Sequence, residues 1–177
     1  MQIVSGGLAY SMYNTFEVVN GLEIKAIPVI NGMYDYGLSE IISIGGAISY
    51  QHISQSYSKV ISVTSAGANK MASFVDEYNR TNVAFRLLVH KERGEQFDFY
   101  TGLRIGMTFW GYRFGSLNGY DGGKIIIFDR PYEKKGTLKF QAVLGARVYV
   151  SEDWGINGEV ALGPSYFANL GVSYRFY

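Results

Sequence analysis

The chain has 177 residues, 16 Lys and Arg against 15 Asp and Glu, a formal net charge of +1 and no cysteine. That balance leaves no electrostatic footprint for nucleic acid, and without thiols neither a disulfide framework nor a thiolate metal site can form. An aromatic fraction of 16% with 22 glycines and only 3 prolines excludes a disordered chain and suits strands that carry rings at their ends.

The length fits a single domain, 1–177. No run of about 18 apolar residues exists, so no helix crosses a membrane. Along the chain the dominant period is two, the period of strands. It predicts strands over Ile3–Tyr13, Leu22–Gly37, Ile41–Ile53, Arg80–Lys91, Phe97–Tyr112, Thr137–Val150, Trp154–Gly163 and Ala168–Tyr177. Pro28 lacks a backbone donor, so the second of these must bend or bulge there. In the fifth, Phe97, Phe99, Thr101, Leu103, Ile105, Met107 and Phe109 share one face. Asp98, Tyr100, Gly102, Arg104, Gly106 and Thr108 share the other. Each run has about the 9–11 residues that a tilted strand needs to cross a bilayer.

The polar faces are mostly small: Gly45, Ala47 and Ser49; Gly102 and Gly106; Gly155, Asn157 and Ala161. Among them stand isolated charges at Arg86, Arg104, Arg147, Glu159 and Arg175. A face turned to bulk water would be densely charged. A cramped face with few charges suits a narrow lumen filled by side chains. The apolar faces then meet lipid. From Phe97 onward the predicted strands put no charge there, where each would cost about 2–4 kcal/mol at the midplane. Aromatics gather at the strand ends. Tyr34, Tyr36, Phe97, Phe99, Trp154, Tyr174, Phe176 and Tyr177 mark one rim, and Tyr10, Tyr50, Phe109, Trp110, Tyr112 and Phe114 the other. Two belts at headgroup depth are what amphipathic rings favour.

The connections alternate in length. Gly37–Glu40, Glu92–Glu95 and Ser151–Asp153 are short, whereas Ser54–Asn79 and Arg113–Gly136 are long and Asn14–Gly21 is intermediate. A fourth connection on the long-loop side, Pro164–Phe167, is short. Open edges are forbidden in hydrocarbon, so the first strand must pair with the last. The expectation is an all-β, eight-stranded, up-and-down antiparallel transmembrane barrel of the bacterial outer membrane. Its short turns and both termini are periplasmic, its interior is plugged, and a signal peptide has been removed.

Specific segments then resemble a family. Asn169–Phe176 resembles the closing strand of outer-membrane barrels. Asp35–Glu40 with Ile44-Gly45-Gly46, Phe99–Gly106 and Trp154–Val160 resemble the OmpX/OmpA-like "outer membrane protein β-barrel domain" group, in details more like Bacteroidetes-type proteins than enteric ones. The resemblance covers most of the chain outside the long loops. It implies that the terminal aromatics, Tyr174, Phe176 and Tyr177, are read by the barrel-assembly machinery. The usual terminal residue is Phe, whereas here Tyr177 follows Phe176. The group shares a fold rather than one function.

Candidate chemistry is sparse. Arg86, Arg104, Arg147, Glu159 and Arg175 are expected to form an ion-pair network in the lumen, because an unpaired charge there is costly. The more modest reading is structural filling, the sharper one a switchable gate. His52 and Ser54 give the His-x-Ser spacing of lipid A deacylase barrels, but Gln55 stands where that motif has Asn. They are the only enzyme candidates, and a rim role is the simpler reading. His90 shows no partner in sequence for metal or catalysis. Ile125, Ile126, Ile127 and Phe128 form an apolar run in a long loop. Neighbouring loops could cover it, or a protein partner could, since exposed β-prone edges invite pairing. The reading that results is a non-enzymatic outer-membrane barrel without metal or cofactor. It contacts outer-membrane lipid and lipopolysaccharide, and serves a structural or interaction role through its outer loops or within a larger complex. The alternatives are an enzyme acting on outer-leaflet lipid and a narrow channel or solute-binding barrel.

Overall fold

A computed structural model describes residues 1–11, 22–62, 69–93, 96–116, 127–128, 136–163 and 166–176. Its strands are β1 (Gln2–Tyr10), β2 (Leu22–Ala26), β3 (Val29–Gly37), β4 (Ile42–Ser62), β5 (Asn69–Arg93), β6 (Phe97–Ser116), β7 (Ile127–Phe128), β8 (Thr137–Tyr149), β9 (Trp154–Leu162) and β10 (Ala168–Phe176). β2 and β3 both pair with β4 and are one barrel strand interrupted at Ile27-Pro28. The Ile27 amide still reaches the His52 carbonyl at 3.1 Å, so the missing Pro28 donor bends the strand without detaching it.

These strands close an eight-stranded antiparallel barrel with up-and-down order. Closure is made by β1 against β10, from Gln2 opposite Phe176 to Tyr10 opposite Ala168. β1 also pairs with β3, so it has no open edge. A bulge between His90 and Glu92 shifts the β5–β6 register at the short-turn rim. At the other end of the barrel, β9 closes on Gly163, whose φ of +140° is a conformation L side chains rarely adopt.

The side chains are sorted inside out. Leu8, Ile48, Phe85, Leu103, Phe140, Leu144, Val160 and Leu170 are exposed on the outer wall. Arg86, Arg147, Asp35, Asp98, Gln51 and Asn157 are fully buried within. In water this arrangement would forfeit most of the apolar burial that stabilises a fold. Against hydrocarbon it is the expected order, with polar groups enclosed and hydrogen-bonded.

The long connections differ from expectation. Ser54–Asn79, expected as a loop, is mostly strand: β4 runs on to Ser62 and β5 begins at Asn69. Beyond the barrel wall neither face meets lipid, so this stretch does not show the apolar alternation that marks a membrane strand. Its Ser, Val and Tyr content still favours a pleated hairpin. β6 likewise runs to Ser116, and Phe114-Gly115 pairs with Ile127-Phe128 of β7. Ile125, Ile126 and Tyr177 lie outside the described residues. A further correction concerns the long-loop belt. Tyr10, Tyr50 and Phe109 are exposed on the outer wall. Trp110 and Tyr112 line an inner cavity instead, and Phe114 stacks on Phe74. Trp110 is one residue out of phase with Phe109, which turns it and its i+2 and i+4 neighbours inward.

Candidate functional site: the charged lumen

Alternation on β3, β5, β6, β8 and β9 aims Asp35, Arg86, His90, Asp98, Tyr100, Arg104, Arg147 and Glu159 into the same narrow space. Room for these side chains comes from glycine. Gly145 faces Tyr100 across β8 and β6, and a Cβ there would collide with the phenol ring.

The contacts form a continuous column. At the short-turn rim, Arg175 donates from Nε to the Glu152 carbonyl at 3.0 Å and stacks 4.0 Å over the Tyr149 ring. Further in, Ser43 Oγ lies 2.7 Å from His90 Nε2, and His90 Nδ1 lies 2.5 Å from Asp98 Oδ1. Arg147 donates to Asp98 Oδ2 at 2.8 Å and to Asp35 Oδ2. Arg86 Nε sits 3.0 Å from Asp35 Oδ1, an ion pair without hydrogen-bond alignment, and its Nη2 donates to Glu159 Oε2 at 3.0 Å. Arg104 Nη2 lies 2.5 Å from Glu159 Oε1, which also accepts the Tyr166 hydroxyl at 2.8 Å. Tyr100 donates to Glu159 Oε2 at 3.1 Å.

Three guanidiniums, Arg86, Arg104 and Arg147, thus face three carboxylates, Asp35, Asp98 and Glu159. Both oxygens of Glu159 are shared between a cation and a phenol. Desolvating each charge costs several kcal/mol, and Arg86 and Arg147 offset it by each bridging two carboxylates. The sequence pattern places Arg86, Arg104, Arg147 and Glu159 in the lumen, and the structure adds Asp35, Asp98, His90, Tyr100 and Tyr166 to their network. Asp35, Asp98 and Tyr100 are legible from alternation alone. Tyr166 is not, since it belongs to the short connection after β9 and folds inward to 3% exposure. Arg175, expected in the same network, is held by Glu152 and Tyr149 instead.

Ser43, His90 and Asp98 have the connectivity of a nucleophile relay. Ser43 is 0% exposed, so no substrate carbonyl reaches its Oγ, and the arrangement orients the imidazole inside the plug. An Nδ1–H tautomer, with Ser43 donating to Nε2, satisfies both contacts. His52 lies on the other face of β4. Its Nδ1 is 2.8 Å from Asn79 Oδ1, which also accepts the Tyr50 hydroxyl at 2.8 Å. Ser54 sits opposite Glu77 in the register. Among the described residues no group of three or more metal-ligating side chains occurs.

Ail, the attachment invasion locus protein of Yersinia pestis, solved in complex with the heparin analogue sucrose octasulfate, superposes on 99% of this chain and 97% of its own. The TM-score is 0.51 at 12% identity. The chain has the fold of the small outer-membrane β-barrels. The strand motifs that resemble the OmpX/OmpA-like group thus lie on a barrel of this fold. The N-terminal β-barrel domain of Pseudomonas aeruginosa OprF aligns over 99% of this chain and 96% of that one, with 13% identity and a TM-score of 0.42. The translocator domain of the autotransporter NalP from Neisseria meningitidis aligns over 99% and 86%, with 15% identity and a TM-score of 0.40. No family model and no curated protein sequence matches the chain.

Proposed function

We propose that this outer-membrane barrel is a non-enzymatic anchor that holds an interaction surface outside the cell. The periplasmic side carries both termini and the short turns. The membrane wall fixes the barrel in lipid and lipopolysaccharide. Along the short-turn rim the Trp154 and Tyr174 rings lie 5.0 Å apart and the Tyr174 and Phe176 rings 6.0 Å apart, centre to centre. Such a row suits a closing strand that is read during assembly.

The observation that carries this reading is the extension of β4, β5 and β6. β8 meets β6 only as far as Thr108, whereas β6 continues to Ser116 against β5. From Ser54 to Ser62, β4 projects about 25–30 Å along its own direction at ~3.3 Å per residue. Among the described residues β2 pairs with β4 alone and β7 with β6 alone, so the projecting sheet is bounded by short edge strands. Among the described residues the outer edges of β2 and β7 have no partner strand, and the backbone groups of an unpaired edge can take a strand from another chain. The Ile127-Phe128 edge belongs to the apolar run that either neighbouring loops or a partner would cover. Asn79 orients the His52 ring, but among the described residues no hydrogen bond joins that ring to Ser54, the nucleophile a hydrolase would need.

Mild-detergent purification from native membranes tests this reading. A protein partner should co-purify in stoichiometric amount, and replacing residues 56–75 by a short turn should release it while the barrel stays folded. Recovery of the barrel alone, or a partner retained after the replacement, would overturn it. A lipid A mass shift on expression, lost on His52→Ala, would transfer support to the lipid-modifying enzyme.

A further inference from the structure

Just above the lumen plug, the inner faces of β2, β4, β5 and β6 line an open cavity of about 530 Å³. Its walls are Ile24, Ile53, Gln55, Tyr78, Trp110 and Tyr112. The volume falls within the roughly 300–1,000 Å³ typical of small-molecule sites, and so does the lining, mostly apolar with a few polar groups. No lipid accounts for this aromatic surface. The rings belong to the inward phase of their strands, whereas the belt residues Tyr50 and Phe109 belong to the outward one.

The charged groups nearby are already engaged. Arg80, 4% exposed, holds its guanidinium 5.7 Å from the centre of the Trp110 ring. Asp76 accepts the Tyr112 hydroxyl at 2.8 Å. Burial, and then the Asp76 carboxylate, push the Tyr112 phenol up to about 12, so it stays neutral. Tyr78 and Tyr112 stand with centroids 5.1 Å apart at 44°, leaving ring surface turned to the space between the walls. Walls of this kind give ring contacts to a guest and offer no uncompensated charge to pair with an ionic one.

We infer that this cavity binds one uncharged aromatic small molecule, of about naphthalene size or somewhat larger, entering from the long-loop end. It concerns the inner face of the sheet, so a failure to find a protein partner at the outer edges leaves it standing, and the reverse holds too.

Trp110 and Trp154 are the two tryptophans of the chain, and Trp154 lies at the opposite rim. In phosphatidylcholine nanodiscs, the Trp154→Phe protein therefore reports on Trp110 alone. Titration with 6-bromo-2-naphthol should quench Trp110 saturably with one site per barrel. The Trp110→Phe protein, reporting through Trp154, should show only the linear quenching of probe dissolved in lipid. Unbrominated 2-naphthol should reverse the saturable component, and a naphthalenesulfonate should compete at least about tenfold more weakly. Ile53→Lys, placed in the Trp154→Phe background, should set an uncompensated charge in the wall and weaken the saturable quenching at least about tenfold. If that variant does not fold, the competition between the neutral and the sulfonated naphthalene decides the same question. Linear quenching at Trp110, equal competition by the sulfonate, or a lipid chain retained in the cavity by native mass spectrometry would overturn the assignment.

Discussion

The guanidinium carbon of Arg147 lies 4.5 Å from the centre of the Tyr100 ring while its terminal nitrogens bind Asp98 and Asp35. The phenol thus fills the lumen between β6 and β8 and serves as the surface on which the central cation rests. Gly145, directly opposite Tyr100 in the register, is what lets the ring lie there. Gly145→Ala should therefore lower stability by about 1–3 kcal/mol, as overpacking does. Urea titration in phospholipid vesicles measures it. A cycle with Tyr100→Ala decides the cause: removing the ring should relieve the glycine substitution. Strictly additive losses would place the effect elsewhere.

Glu159 is the hinge of the network's electrostatics. It is 2% exposed and carries ion pairs to Arg86 at 3.0 Å and Arg104 at 2.5 Å. Glu159→Ala leaves the buried Arg104 guanidinium without a carboxylate and Arg86 with Asp35 alone, which should cost about 3–5 kcal/mol. The surface pair of Lys25 and Glu23, with side chains 76% and 54% exposed, gives the contrast. Lys25→Ala should cost no more than about 1 kcal/mol. Equal losses in the same urea titration would mean that the column is solvated and the pairs carry little.

The wall is legible in the sequence because lipid imposes a strict rule on it. Leu138, Phe140, Ala142, Leu144, Ala146, Val148 and Val150 alternate without exception, and β8 follows that pattern closely. The same rule yields the lumen positions of Arg86, Arg104, Arg147 and Glu159. Pairing inside the lumen is less legible, because strand tilt and stagger decide which residues of distant strands share a level. His90 illustrates it: its partners Ser43 and Asp98 come from two different strands, and no sequence spacing links all three. Above the wall the rule lapses. There Tyr57, Phe74 and Phe114 stack with centroids 5.6 Å apart on a sheet that no hydrocarbon selects, and the segment reads as a loop.

The outer wall yields its own prediction. Leu144, near the middle of β8, is 60% exposed, and Leu162, at the loop-side end of β9, is 78% exposed. If both face a bilayer, arginine should be costly at the first and mild at the second. Leu144→Arg should lose about 2–4 kcal/mol, and Leu162→Arg about 0–1 kcal/mol. Equal costs in vesicles would count against a membrane, because water has no depth. So would a purified protein that stays monodisperse in buffer without any amphiphile.

A last prediction concerns transport. The column from Tyr149 through Arg147, Arg86 and Glu159 to Arg104 places large side chains at successive levels, and Tyr166 caps Arg104 from the connection after β9. Between Met33, Ser49, Asn82, Gln141 and Tyr166 only about 10 Å³ remains, room for a single water molecule. An ion crossing this space would have to separate buried ion pairs and shed its own hydration at the same point, and each step carries a desolvation cost of several kcal/mol. In planar bilayers the protein should give no stable unitary conductance at either polarity. Steady ohmic steps from the folded barrel would overturn the reading of a plugged lumen.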